Sequence, residues 1–248
     1  MQRPKLRDNI GRKPFELYPL GQIPDEAIFE IGRWITYFCA IGKSDISGED
    51  WGDIFARSIK GEHLGRPLGL ADVVYEGMAW SVKSIKHNNP HSAGKIRVIS
   101  GRCSPDYSYN IANAHEDVQM TGNAVLSIWN ERINIAKRAY EPLRTAILIR
   151  NFSTLEFTLF EYETTRFVVD DFKWEVNERG NFEGYHIATD SHCFTWQPHG
   201  SQFTVLIDVP AYACKFKLKR PRVLDFDKTL EQVGFETSWV SILLDYHE

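Results

Sequence analysis

The sequence predicts a mixed α/β (α+β) fold: a central mixed β-sheet flanked by helices, with a β-rich C-terminal elaboration. Three observations carry this reading. Two amphipathic helical segments precede a pair of short apolar strands. A long helical stretch then leads into a further apolar run, as a helix between two strands of one sheet would. Beyond residue 150 the chain alternates with the period of strands. A chain of 248 residues is long enough to bury a real core as one domain, and 43% hydrophobic with 25% charged residues is ordinary for a globular protein.

The elements follow in order. Residues 1–24 read as an irregular arm punctuated by Pro4, Pro14, Pro19 and Pro24. Residues 25–150 form the expected core and residues 151–248 the β-rich part, all within a single domain, 1–248. From Asp25, placed to cap after Pro24, the run Glu-Ala-Ile-Phe-Glu-Ile-Gly-Arg-Trp-Ile has helical spacing. A second helix starts at Ser47, with Trp51, Ile54, Phe55 and Ile59 on one stripe. Two apolar strands follow, Gly69 to Tyr75 and Ala79 to Lys86, joined by a Glu76-Gly77 turn. After a loop at 87–94, Lys95 to Ser100 alternates basic and apolar residues, as a strand with one wet face does. A helix from about His115 to Tyr140, with Trp129, Ile133 and Ala136 as its core stripe, ends before Pro142. Arg144 to Ile149 is a core strand. Leu155 to Glu163, Thr165 to Val169, Phe172 to Val176 and Gln202 to Val209 read as antiparallel strands.

Composition narrows the function. Cys39, Cys103, Cys193 and Cys214 lie far apart with no CxxC, which argues against a zinc knuckle or a disulfide framework and for a reducing compartment. No apolar run reaches membrane-spanning length and the N-terminus lacks a signal-like segment, so a cytoplasmic location with no membrane contact is expected. The net charge is −4, but its distribution matters more than its sum. No acid falls between Gly77 and Pro105, which holds Lys83, Lys86, Lys95, Arg97 and Arg102. A second acid-free stretch, 209–224, holds Lys217, Lys219 and Arg220. Two such stretches, one beside a candidate metal site, favour a phosphate-facing surface.

Chemistry concentrates at residues 72–83. Asp72 is a lone carboxylate among Leu, Ala and Val, a costly placement without a partner. Ser81 and Lys83, two apart on the next strand, emerge on one face. A carboxylate on one strand beside a lysine on the next can hold a divalent cation and a water near a phosphodiester. Asp72 and the carbonyl of Val82 suit Mg²⁺ as hard oxygen ligands, while Lys83 orients the attacking water. The competing reading is an ion pair between strands. Lys86, three residues on, faces away from Lys83 and is expected to meet a phosphate.

Asp72, eight residues, then Ser81-Val82-Lys83 resembles the PD-(D/E)XK nuclease signature in the form where Ser replaces the second acidic residue. Type II restriction endonucleases use this form. The runs Gly61 to Asp72, Ser100 to Tyr107 and Trp196 to Phe203 also look like restriction-enzyme sequence. The resemblance implies a restriction-endonuclease-like fold and a Mg²⁺-dependent, site-specific cut in double-stranded DNA. It also implies a cognate DNA methyltransferase in the same host, and leaves a homodimer open. Ser81 brings no charge, so another carboxylate is expected. Glu62, taken to end the preceding helix, is preferred over Glu76, Asp53, Asp106 and Glu131. Arg102, Gln197, His199 and Gln202 are expected to read bases, since Arg suits guanine and Gln suits adenine. Lys86, Lys95, Arg97, Lys217, Lys219 and Arg220 are expected on phosphates. Two alternatives stand: a structure-specific repair or mobile-element nuclease of the same fold, and a non-catalytic DNA-binding module. His87-Asn-Asn-Pro-His91 lacks the flanking helix and ligands of an HNH nuclease.

Overall fold

Two β-sheets and the helices packed on them make up the computed structural model, which describes residues 15–242 and bears out the mixed α/β class. Residues 1–14 of the expected arm lie outside the described residues. Helix α1 (Asp25–Ala40) begins at its expected cap residue rather than after it: Pro24 holds the extended cap position and Asp25 is the first helical residue. Asp25 and Glu26 therefore lie in the first turn, where negative charge complements the helix dipole. Helix α2 (Gly48–Ile59) opens with a capping box. Ser47 Oγ accepts from the Asp50 amide at 3.0 Å, and the Asp50 carboxylate accepts from the Ser47 amide at 2.8 Å. Its predicted stripe of Trp51, Ile54, Phe55 and Ile59 is buried.

The strands are β1 (Glu62–Leu68), β2 (Ala71–Tyr75), β3 (Met78–Lys86), β4 (Lys95–Arg102), β5 (Leu143–Asn151), β6 (Glu156–Glu163), β7 (Phe172–Val176), β8 (Phe182–His186), β9 (Ser191–Gln197), β10 (Gln202–Asp208) and β11 (Cys214–Lys217). Helices α3 (Pro105–Tyr109) and α4 (Val118–Ala139) separate β4 from β5, and α5 (Phe226–Gln232) follows β11. The first sheet runs β1-β2-β3-β5-β6-β11, and its β3–β5 pair is parallel. A parallel pair needs a long crossover, and β4, α3 and α4 supply it. The second sheet, β4-β10-β9-β8-β7, is antiparallel throughout. The sheets do not divide the chain at residue 150: β6 and β11 complete the first, and β4 belongs to the second.

Helices α1 and α2 cover one face of the first sheet, where Ile31, Ile35, Trp51 and Phe55 pack on Trp80 and Phe157. Helix α4 lies between the other face and the second sheet, with Val125, Trp129 and Ile133 against Leu143, Phe194 and Phe203. Strand β5 is consequently buried from Leu143 to Arg150. One expected strand is absent. Thr165 to Val168 is irregular and a single 3₁₀ turn follows at Val169–Asp171. The Asn130 side chain of α4 replaces the ladder there, accepting from the Phe167 amide at 2.9 Å and donating to its carbonyl at 2.8 Å.

Candidate active site

Register brings the motif together. In the β2–β3 hairpin Val73 lies opposite Trp80, which puts Asp72 beside the start of Ser81-Val82-Lys83. One oxygen, Asp72 Oδ2, accepts three hydrogen bonds: from the Ser81 hydroxyl at 3.1 Å, the Val82 amide at 2.9 Å and the Lys83 ammonium at 2.8 Å. Oδ1 accepts none among the described residues. Lys83 Nζ also donates to the Val82 carbonyl at 3.1 Å. Ser81 is buried, whereas the side chains of Asp72 and Lys83 retain 16% and 26% of their exposure and reach a cleft.

That cleft, of about 490 Å³, is lined on its charged side by Glu49, His63, Asp72, Lys83, Arg132 and Arg150. Arg132 comes from α4 and lies over Gly101, where a Cβ would fall 2.4 Å from the guanidinium. The guanidinium donates to the Arg102 carbonyl at 3.3 Å. Arg150 is held from behind: Asp45, between α1 and α2, accepts from its Nε at 2.8 Å and its Nη2 at 3.2 Å. Burial alone would raise the Asp45 carboxyl, but the hydrogen bonds from Arg150 and Lys86 outweigh it and hold it below its ordinary value. Lys83 is paired with Asp72 and Arg150 with Asp45, which leaves Arg132 as the cation at the cleft without a carboxylate partner among the described residues.

Several expected site residues are placed elsewhere. Glu62 does not end a helix: it opens β1, is exposed, and is absent from the lining of the cleft. Alternation along β1 turns its neighbour His63 to the cleft instead. The carboxylate at the cleft is Glu49, in the first turn of α2. Glu76 sits exposed in the hairpin turn, Asp106 is exposed on α3, and Glu131 pairs with Arg138. Asp53 reaches the cleft only through His63, whose Nδ1 lies 2.8 Å from its Oδ1.

Among the DNA-contact candidates, Arg102, Gln202 and Gln197 do come together. Gln202 is registered against Arg102 on one side and Gln197 on the other, so the three form a row across β4, β10 and β9. His199 is exposed in the connecting turn. The other basic residues are scattered and largely engaged. Lys86 pairs with Asp45 at 2.6 Å. Lys95 donates to the His192 carbonyl at 3.2 Å and Arg97 to the Thr195 hydroxyl at 2.8 Å. Lys217 pairs with Glu156 at 2.9 Å, and Arg220 donates to the carbonyls of Phe152 and Ser153. Lys219 is exposed just beyond β11, which stands three strands from β3.

Sequence reasoning missed Glu49, His63, Arg132 and Arg150. Arg150 carried a signal, since an arginine ending an apolar strand seldom lies buried without a partner. The others are joined by contacts between distant segments. Among the described residues no group of three or more His, Cys, Asp or Glu side chains converges on a metal position. Two hard oxygens do converge. Asp72 Oδ2 and the Val82 carbonyl both address the Lys83 ammonium, so a cation already sits where they meet. Comparison with protein-family models, with curated proteins and with solved structures finds no match for this chain.

Proposed function

We propose that this chain is a Mg²⁺-dependent, sequence-specific double-strand DNA endonuclease of the PD-(D/E)XK, type II restriction kind, with the restriction-endonuclease-like fold. The observation that supports it best is the convergence of Ser81, Val82 and Lys83 on one oxygen of Asp72, at the edge of a cleft that Arg132 also lines. Asp72 and the Val82 carbonyl would hold the ion, with water and substrate completing its coordination. The ion supplies positive charge at a nonbridging phosphate oxygen and makes bound water more acidic. Ser81 adds no charge; its hydroxyl and the Val82 amide fix the Asp72 carboxylate. Lys83, two residues from Ser81 on the same strand face, orients a water beside that carboxylate. Arg132 and Arg150 hold the phosphate by charge-assisted hydrogen bonds. The row of Arg102, Gln202 and Gln197 presents donors and acceptors suited to base edges in the major groove. A restriction role carries with it a cognate DNA methyltransferase in the host.

One observation favours a second reading, a DNA-binding module without catalysis: Asp72 and Lys83 are in direct contact at 2.8 Å and join neighbouring strands, as a structural ion pair does. Plasmid DNA with Mg²⁺ separates the readings. The enzyme yields discrete fragments whose mapped ends share one sequence, a structure-guided nuclease of the same fold yields a smear, and the module leaves the plasmid intact. Asp72→Ala and Lys83→Ala are each expected to slow cleavage on the order of a thousandfold or more while Ca²⁺-supported DNA binding persists. Cleavage by either variant within about tenfold of wild type would remove the assignment.

A further inference from the structure

We propose that Glu49 and His63 form a cation site of their own on the wall of this cleft, suited to a first-row divalent transition metal such as Mn²⁺, Co²⁺ or Zn²⁺ rather than to Mg²⁺. The site itself does not depend on the nuclease reading; only a role for its ion in DNA cleavage does.

The site is built by one face of α2 and one residue of β1. Glu49, Gly52 and Asp53 stand at positions i, i+3 and i+4 of the helix, so they share the side turned to His63. Gly52 is buried in mid-helix, where glycine is less favourable than alanine by about 1 kcal/mol. It leaves room for the imidazole: a Cβ there would lie 2.3 Å from His63 Nε2. A helix that gives up a side chain at this position seats the ring in one orientation. Asp53 fixes that orientation from the other end, with its Oδ1 2.8 Å from Nδ1. A carboxylate at Nδ1 keeps the proton on that nitrogen and leaves the Nε2 lone pair free, the arrangement in which histidine serves as a metal ligand. Nε2 makes no hydrogen bond among the described residues. The ring is 16% exposed, so it is open to the cleft but shielded from bulk water.

The second ligand stands at the right distance. Glu49 Oε2 lies 3.8 Å from Nε2, too long for a hydrogen bond. Two donors bound at about 2.1 Å to one ion can be up to roughly 4.2 Å apart, so an ion fits between them. The Glu49 side chain is 89% exposed and can adjust without disturbing the core. Asp53 is occupied by Nδ1 and acts as the orienting partner, so protein supplies two ligands and water the rest. An imidazole nitrogen in the set favours first-row transition metals over the all-oxygen preference of Mg²⁺ and Ca²⁺.

The test is a titration of the metal-free full chain with Co²⁺, read by visible ligand-field absorption and by calorimetry, with excess Mg²⁺ present. Wild type is expected to bind Co²⁺ with a spectrum that includes a nitrogen ligand. His63→Ala should lose that spectrum, Glu49→Gln should weaken binding, and Asp53→Asn should weaken it by about 10–100-fold. Asp72→Asn should leave this binding in place. Melting curves establish folding, and Glu49, being exposed, supplies a variant whose fold is not at stake. Failure of wild type to take up Co²⁺ at millimolar concentration, or an unchanged spectrum in His63→Ala, overturns the site. Plasmid cleavage in Mg²⁺ is scored separately, so a chain that binds Co²⁺ through His63 without cutting DNA would refute the nuclease reading and leave this site standing.

Discussion

Two carboxylate–cation pairs bridge neighbouring strands of the same sheet at the same separation and differ in burial and in how fully the carboxylate is used. Arg144 on β5 meets Glu161 on β6 at 2.8 Å, with the two side chains 2% and 0% exposed. Both Glu161 oxygens are used. Oε1 accepts from Arg144 and from the Gly21 amide, Oε2 from the Trp80 indole and the Tyr18 hydroxyl. Burial pushes the Glu161 carboxyl up from its ordinary value against the pull of Arg144, and burial likewise raises the Tyr18 hydroxyl. Asp72 and Lys83 meet at the same 2.8 Å, but at a cleft, with three donors crowded on one carboxylate oxygen. The sealed and saturated pair fastens the segment from Tyr18 to Gly21 onto the sheet. The open pair keeps coordination capacity for a ligand. Similar residue pairs at similar separation thus do different work, and burial with hydrogen-bond saturation tells them apart.

The largest expected effect breaks the sealed pair. Arg144→Ala leaves Glu161 as a buried charge without its cation, and removing one partner of such a pair costs about 3–5 kcal/mol. Denaturant unfolding of the variant measures it. A loss of less than about 1 kcal/mol would mean that water reaches Glu161, and the contrast with Asp72 would collapse.

The open pair should show the reverse balance. Lys83→Ala is expected to lower stability by about 1–2 kcal/mol, less than Arg144→Ala, because the Ser81 and Val82 donors and water from the cleft still serve the Asp72 carboxylate. The same unfolding measurement applies. A loss as large as that of Arg144→Ala would identify the Asp72–Lys83 pair as a fastening of the hairpin rather than as chemistry.

The contrast also explains what the sequence makes legible. Asp72, Ser81 and Lys83 could be read because a short turn and strand alternation are local, and so could α2, whose Ser47–Asp50 box lies within four residues. The sealed pair was invisible: Arg144 lies at the start of an apolar strand and Glu161 is one of three glutamates in the alternating strand β6, so only pairing in the sheet singles them out and joins them. Glu49 and His63 meet through packing of α2 on β1, a strand where the sequence reading assigns no element and takes Glu62 to end the preceding helix. Lys95 to Ser100 was legible as a strand, but its partner β10 lies about a hundred residues on, so its place in the second sheet was not. Thr165 to Val169 had strand alternation without a strand neighbour. There a single Asn130 side chain decided the outcome.

Asp45 stands between the two extremes and gives the smallest, most discriminating test. It is neither sealed nor open: Arg150 behind it is buried, while Lys86 in front is 74% exposed. Desolvation raises its carboxyl, but the Arg150 and Lys86 hydrogen bonds win and its folded pKa lies below the unfolded value of about 3.9. A depressed carboxylate adds stability that is complete above the unfolded pKa and is lost as pH falls through the folded one. The stability gap between wild type and Asp45→Asn should therefore be constant from about pH 7 to about pH 5 and narrow below about pH 4. Melting curves of both proteins across that range measure it. Arg150→Ala should remove most of the narrowing, because it takes away the buried donor and leaves only Lys86 and the Ile46 amide on the carboxylate. Lys86→Ala should reduce it only in part, because an exposed ammonium is readily replaced by water. A gap that persists unchanged to about pH 3 would show that the Asp45 carboxylate gains nothing from Arg150 in the folded state, leaving this guanidinium to be positioned at the cleft by the Ile46 carbonyl alone, which accepts from it at 3.0 Å.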